Sequence, residues 1–222
     1  MSDRGDTIII NMEKITGKRI VILLFDRLTA LDAVGPYEVL SRLPGYSIIL
    51  AGKERRGYKD PYGLEITATH SLDEIRSADI LLVPGGYGID SLITDDEILQ
   101  WIRAMDQSTL FTVSVCSGSI VLAAAGLLDG RRCTTHWRRI GKLKEFNVTV
   151  EEKRYVHDGK YITSAGVSAG IDMALYLASL VAGETTAMTI QLSIEYDPQP
   201  PFDCGNPSKA PIEIINRIIQ KK

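Results

Sequence analysis

Residues 110–130 read LFTVSVCSGSIVLAAAGLLDG. A β-branched run ends at Val115, Cys116 stands at the junction, and Ser117, Gly118 and Ser119 open a stretch rich in alanine and leucine that is expected to run as a helix to Gly130. This is the sequence form of a nucleophile elbow, a sharp turn between strand and helix that presents one side chain outward while small neighbours let a substrate approach. The chemistry it offers is thiol addition. Amides at the start of a helix favour developing negative charge, and the same positive end is expected to lower the thiol pKa. A free cysteine is also a good small core residue, so the junction alone leaves both roles open.

Two other stretches bring groups that such a thiol would use. Val83-Pro84-Gly85-Gly86-Tyr87-Gly88 follows a strand-like run, and its glycines allow a tight turn with backbone N–H groups turned to an anion or oxyanion. It lacks the Gly-Lys-Ser/Thr of a phosphate loop and the spacing of a dinucleotide fingerprint. Asp32 lies in the loop at residues 25–36 among apolar neighbours, where a carboxylate is costly unless paired or functional. A helix cap is the alternative for it. If the strands before these loops are parallel, all three loops meet at the carboxyl edge of the sheet, where open α/β sheets bind ligands.

The elements that must position them follow from the hydrophobic rhythm. Residues 19–25 (RIVILLF) are a continuous aliphatic run of strand length, suited to a parallel strand covered on both faces. Similar runs recur at residues 47–51, 79–84 and 110–115 with helical spacing between them, which is βαβ rhythm. Ser71-Leu-Asp-Glu74 and Thr94-Asp-Asp-Glu97 fit the capping box and predict helices after each. Gly35-Pro36 predicts another helix start. Residues 154–164 read as a small antiparallel excursion turning at Asp158-Gly159. Residues 168–181 form a helix capped near Gly183, and a further helix begins near Glu184. Residues 197–211, with five prolines, make an extended loop before a final amphipathic helix.

Composition narrows the classes of function. The 222 residues, 45% hydrophobic and 24% charged, describe one globular domain, assigned to residues 19–222 with residues 1–18 as an N-terminal extension. Lysine and arginine number 25 against 28 aspartates and glutamates, net −3, so no general attraction to nucleic acid or an acidic membrane is expected. The longest apolar run, residues 120–128, is half what a transmembrane helix needs. No signal-peptide pattern is present, so a cytoplasmic location is the default. Cys116, Cys133 and Cys204 lack CxxC spacing and signal neither a disulfide framework nor a zinc site.

The stretches LTALDAVGPYEVL, VPGGYG, VSVCSGSIVLAAAGLLDGRRCTTHW, AGVSAGIDMAL and QLSIEYDPQPPFDCGNPSKAP resemble the DJ-1/PfpI superfamily, and within it the isonitrile hydratases, over nearly the whole chain from about Arg19. The elbow marks the superfamily, while the aspartate loop and the proline-rich tail point to the hydratase branch. The resemblance implies an α/β flavodoxin-like sandwich with a mostly parallel central sheet, a homodimer, a small-molecule substrate, and no metal or organic cofactor. It makes Cys116 the nucleophile, Asp32 the acid/base carboxylate, and the backbone N–H groups of Gly86 and Ser117 the oxyanion pocket. Relatives usually carry threonine where this chain has Ser117; the hydroxyl remains available to Asp32, though serine is freer at χ1. Relatives of protease character place histidine directly after the cysteine, and Ser117 stands there instead. The implied reaction is hydration of an isonitrile to an N-substituted formamide through a cysteine thioimidate.

Other residues receive lesser roles. His136, in Thr134-Thr-His-Trp137, is assigned to a supporting position around the site. His70 and His157 read as surface residues, Cys133 and Cys204 as bystanders, and Asp172 as support for its helix. Tyr87, Trp137 and Tyr196 are candidates for pocket walls. The competing functions are a glyoxalase-like or cysteine hydrolase activity on the same elbow, and a redox or ligand sensor in which Cys116 is oxidised. Ligand domains of some transcription regulators are also similar, but those carry an added helix-turn-helix region for which this chain has no room, so DNA binding is not expected.

Overall fold

The computed structural model describes residues 17–220, so the expected N-terminal extension lies almost entirely outside the described residues. The strands in chain order are β1 Lys18–Leu23, β2 Tyr46–Gly52, β3 Gly57–Lys59, β4 Glu65–Thr67, β5 His70–Ser71, β6 Ile80–Val83, β7 Phe111–Val115, β8 Arg132–Cys133, β9 Thr149–Val150, β10 Tyr155–Asp158 and β11 Tyr161–Ser164. The helices are α1 Ala30–Leu40, α2 Ile89–Leu92, α3 Asp96–Asp106, α4 Gly118–Ala124, α5 Ile140–Leu143, α6 Ala169–Ala182, α7 Glu184–Ser193 and α8 Ile212–Gln220.

Seven strands make the main sheet in the order β10-β11-β7-β6-β1-β2-β5. All its pairings are parallel except the β10–β11 hairpin. Strands β6 and β11 are buried throughout, β7 at all but its first residue and β1 over its last four, as the unbroken aliphatic runs require of strands covered on both faces. Helices α1, α6 and α7 pack together, as do α2, α3, α4 and α5. The result is the flavodoxin-like α/β architecture expected from the sequence. Among the described residues, no helix is long and apolar enough to cross a membrane.

Several local expectations are corrected. Helix α1 starts at Ala30 rather than Gly35, so Pro36 falls inside it and leaves the Asp32 carbonyl without its i+4 amide. The Ser71–Glu74 capping box forms, but it closes only a single 3-10 turn, Leu72–Glu74. For α3 the cap is Asp95, one residue later than expected, accepting from the Ile98 N–H at 3.3 Å. Helix α4 ends at Ala124, well short of Gly130. The hairpin at residues 155–164 is part of the main sheet rather than an excursion, because β11 lies parallel against β7. Its turn residues are Gly159 and Lys160, with Gly159 at φ +65. The α6 and α7 boundaries fall where the apolar spacing and Gly183 put them.

Candidate active site

Because β1, β6, β7 and β11 run parallel, the loops after them gather at one edge. Cys116 follows β7 with φ +57, in the left-handed region that a non-glycine residue seldom occupies. The strained turn is pinned on both sides. The Cys116 N–H donates to the Ser164 carbonyl at 3.0 Å, and the Cys116 carbonyl accepts from Thr135 Oγ1 at 3.0 Å and Ser119 Oγ at 3.3 Å. Such backbone strain costs on the order of 1–3 kcal/mol and persists only where surrounding contacts over-determine it. The neighbouring loop packs directly on the elbow: a Cβ at Gly85 would overlap Ser117 N and Oγ, and one at Gly118 would meet the Val83 and Pro84 carbonyls.

Asp32 is fully buried on α1. Its Oδ2 accepts the Gly85 N–H at 3.1 Å, and Oδ1 has no partner of good hydrogen-bond geometry. Burial raises its pKa to about 7, opposed by the Gly85 N–H and by the Cys116 thiol. The thiol itself is pushed well above its ordinary value, first by burial and then by the negative charge of Asp32, with the Ser117 N–H and hydroxyl pulling the other way. The expected low-pKa thiolate is therefore not what this site holds. Two acids share a dry space, and burial raises the pKa of both.

Ser117 turns its hydroxyl to the neighbouring loop rather than to Asp32. Its Oγ accepts the Gly86 N–H at 3.0 Å. Of the two backbone donors expected to form an oxyanion pocket, Gly86 is thus engaged by Ser117, while the Ser117 N–H faces the Cys116 sulfur. Gly86 has φ +142, and a Cβ there would run into the backbone at Arg27 to Thr29, so only glycine fits this turn.

His136 is half-buried at the head of the 3-10 turn Trp137–Arg139, and its Nδ1 accepts the Arg138 N–H at 3.2 Å. Burial, then the charges of Arg138 and Arg139, lower its pKa. Trp137 stacks on it, with centroids 5.8 Å apart. Arg139 in turn pairs with Asp90 of α2. The remaining candidates lie elsewhere. His157 is half-buried between the Tyr176 hydroxyl at 2.9 Å and the Gly159 carbonyl at 2.7 Å, which corrects its reading as a surface residue. Asp172 pairs with Arg154. Cys133 is buried, its thiol pushed up to about 11 mainly by burial. Tyr87 is exposed, under the Arg27 guanidinium. Tyr196 lines a cleft of about 460 Å³ with Leu31, Val34 and Ile171, a lining that includes neither Cys116 nor Asp32. Among the described residues, no cluster of His, Cys, Asp and Glu is arranged to hold a metal ion.

A family model described as the DJ-1/PfpI family matches residues 18–180, which span the sheet, the elbow and both flanking loops. The chain belongs to the DJ-1/PfpI family. It is 39% identical over 198 residues to the isonitrile hydratase of Pseudomonas putida, covering 89% of this chain and 87% of that protein. It is 34% identical over 130 residues to the HTH-type transcriptional regulator CdhR of Pseudomonas aeruginosa, covering 58% of this chain but 38% of the regulator. Among solved structures, a ThiJ/PfpI family protein from Pseudomonas syringae superposes with a TM-score of 0.89 at 33% identity over 99% of this chain and 91% of that one. Drosophila melanogaster DJ-1beta shares the fold, with a TM-score of 0.74 at 22% identity, covering 81% of this chain and 98% of that one.

Within this DJ-1/PfpI chain, sequence reasoning passed over three residues that hold the site together: Thr135, Ser164 and Gly166. Gly166 closely follows a strand of the parallel sheet, the same signal that drew attention to Gly85 and Gly86. Thr135 and Ser164 act through a side-chain hydroxyl and a backbone carbonyl, for which the sequence carries no signal.

Proposed function

We propose that the chain adds water to an isonitrile, R–N≡C, to give the formamide R–NH–CHO, with Cys116 as nucleophile and Asp32 as the proton carrier. The observation that carries this reading is the buried, one-bonded Asp32 carboxyl with a pKa of about 7 beside a thiol whose own pKa is raised. An isonitrile carbon must gain both a nucleophile and a proton. A thiol that stays protonated at neutral pH needs a base as it attacks, and Asp32 is poised to be that base and then to return the proton to carbon. The sulfur–carbon bond forms, the former thiol proton ends on carbon, and the product of this step is the thioimidate R–N=CH–S–Cys116. Water then adds to that carbon with Asp32 taking a proton, the nitrogen is protonated, and the carbon–sulfur bond breaks to release the formamide and restore the thiol. The 39% identity to an isonitrile hydratase supports the same substrate class.

Peroxide sensing fits less well, because a sensor cysteine is accessible and of low pKa, whereas Cys116 is 7% exposed with a raised pKa. The reading includes a homodimer: α1 leaves Leu31, Val34 and Tyr37 each about 40% exposed on one surface next to the Asp32 helix turn. Sedimentation at micromolar concentration is expected to give a dimer, and a monomer overturns that part.

The test is to incubate wild-type and Cys116→Ala protein with an aryl isonitrile and to follow formamide by chromatography. Conversion by the wild type alone is expected. Equal conversion by the variant removes the nucleophile assignment, and conversion of an α-oxoaldehyde in place of the isonitrile shifts the reaction to glyoxalase-like chemistry.

A further inference from the structure

Among the described residues, three other than glycine hold a positive φ, and two of them lie on loops at the edge where Cys116 stands. Cys116 is one. Arg27, at φ +63 in the loop after β1, is the other. Glycine adopts that conformation freely, whereas a long side chain is strained in it. The turn is pinned on both sides: the Arg27 N–H donates to the Lys59 carbonyl at 2.6 Å, and the Arg27 carbonyl accepts the Gly88 N–H at 3.2 Å. The backbone asks for glycine and the chain supplies a guanidinium. Strain kept at the edge of a site points to a use for the side chain.

The guanidinium lies over the Tyr87 ring, 5.8 Å from its centroid. Stacking engages its face and leaves its in-plane N–H groups free to donate. The carboxylates nearby are taken by other arginines, Asp26 by Arg56 and Asp90 by Arg139. Among the described residues no acceptor engages the side chain of Arg27, nor that of Arg138 in the segment after β8. This edge therefore carries two unmatched guanidinium groups in a chain whose net charge is −3. Arg27 is also tied to the elbow. Leu28, the next residue, bridges Gly86, whose N–H donates to Ser117 Oγ at 3.0 Å. Arg27 and Tyr87 are exposed where Cys116 is buried, so they are placed to meet the substituent of a substrate rather than its reacting carbon.

We propose that the site takes isonitriles whose R group ends in a carboxylate, and that Arg27 selects them by pairing with that carboxylate. This rests on the hydration reading above. The reacting carbon stays with Cys116 and Asp32, and the R group extends along the Gly86–Tyr87 turn to the guanidinium. Stacking on Tyr87 holds the planar fork in one orientation, which suits two parallel N–H···O bonds to a carboxylate. Arg27 binds the far end of the substrate and takes no part in the proton transfers.

The experiment compares 4-isocyanobenzoate with 4-isocyanotoluene, which carries a methyl group in place of the carboxylate, in wild type, Arg27→Gly and Arg27→Lys, reading kcat and KM for the formamide. The wild type is expected to favour the benzoate roughly 5-fold in kcat/KM, with the advantage shrinking as salt is added. Any effect of the substituent on intrinsic reactivity is common to the three proteins, so a change in the ratio isolates the contact. Arg27→Gly is expected to lose most of the preference through a higher KM for the benzoate, while its urea midpoint stays at or above that of the wild type because glycine fits the turn. Arg27→Lys keeps the charge without the fork and is expected to retain part of the preference. Equal kcat/KM for the two compounds in the wild type, or the same ratio in Arg27→Gly as in the wild type, overturns the proposal. A wild type that converts neither compound overturns the hydration reading itself, so the two failures are distinguishable.

Discussion

Two aspartates are buried at opposite edges of the same sheet, and they are served very differently. Asp106, the last residue of α3, is 4% exposed and lies where β7 and β11 begin. Its oxygens take Thr112 Oγ1 at 2.7 Å, the Tyr161 hydroxyl at 3.1 Å and Lys160 Nζ at 3.0 Å. Asp32, at the edge where β1 and β7 end, takes one backbone N–H and no cation. Burying a carboxylate without compensation is costly. The first site supplies three such partners, and burial and then Asp106 push the Tyr161 phenol up to about 12. The second site leaves the cost in place as a carboxyl that titrates near neutrality. A saturated carboxylate holds structure, whereas an under-served one is free to trade protons.

Removing the groups at each edge should break the symmetry in opposite directions. Cys116→Ala is expected to reduce isonitrile turnover at least about 10³-fold, since no other thiol stands at the elbow; formamide assays check this. Asp32→Asn should lower turnover about 10²–10⁴-fold and yet raise stability. The folded-state pKa of Asp32 is lifted above its ordinary carboxylate value, so ionisation opposes folding increasingly as pH rises from about 4 through 7. The variant should accordingly gain up to about 4 kcal/mol at pH 8 and nothing near pH 4, as read by urea melts across that range. By the same logic wild-type kcat/KM should climb with pH through about 7, and a flat profile between pH 5.5 and 8.5 would exclude Asp32 as the base.

The Asp106 edge predicts the reverse pattern. Asp106→Asn should cost about 2 kcal/mol of stability, less than a fully buried pair because Lys160 is partly exposed, and turnover per folded molecule should stay within about twofold. Ser117→Ala gives the smallest effect in free energy and sharpens the comparison within the catalytic edge. It removes the acceptor of the Gly86 N–H, and the loss of one neutral hydrogen bond should slow turnover about 3–10-fold, measured as kcat. A much larger loss would place the Ser117 hydroxyl on the reacting atoms.

The chain itself made the sheet legible. Aliphatic runs of strand length suit a parallel strand covered on both faces better than a half-exposed one, and the strands fall on those runs. Local signals failed where tertiary packing outweighed them. Pro36 marked a helix start by its missing N–H, but burial of Asp32, Ala33, Gly35 and Val39 carried α1 back to Ala30. The Ser71 cap formed and still produced only one turn, because Ile75 leaves the helical region at once and no apolar helical face follows.

For the site, sequence determined which chemical groups are present and that their loops share one edge, because strand direction is a topological property written in the βαβ rhythm. The tertiary structure decided the protonation states and the partners. A cysteine at a helix start suggested a thiolate, since the helix end is a short-range effect readable from neighbours in the chain. The raised thiol arises from exclusion of water and from a carboxylate 84 positions away in sequence, neither of which a local reading contains. Gly166 makes the same point by volume: its lack of a side chain has meaning only because Cys116 and His136, from two other loops, converge on the space a Cβ would fill.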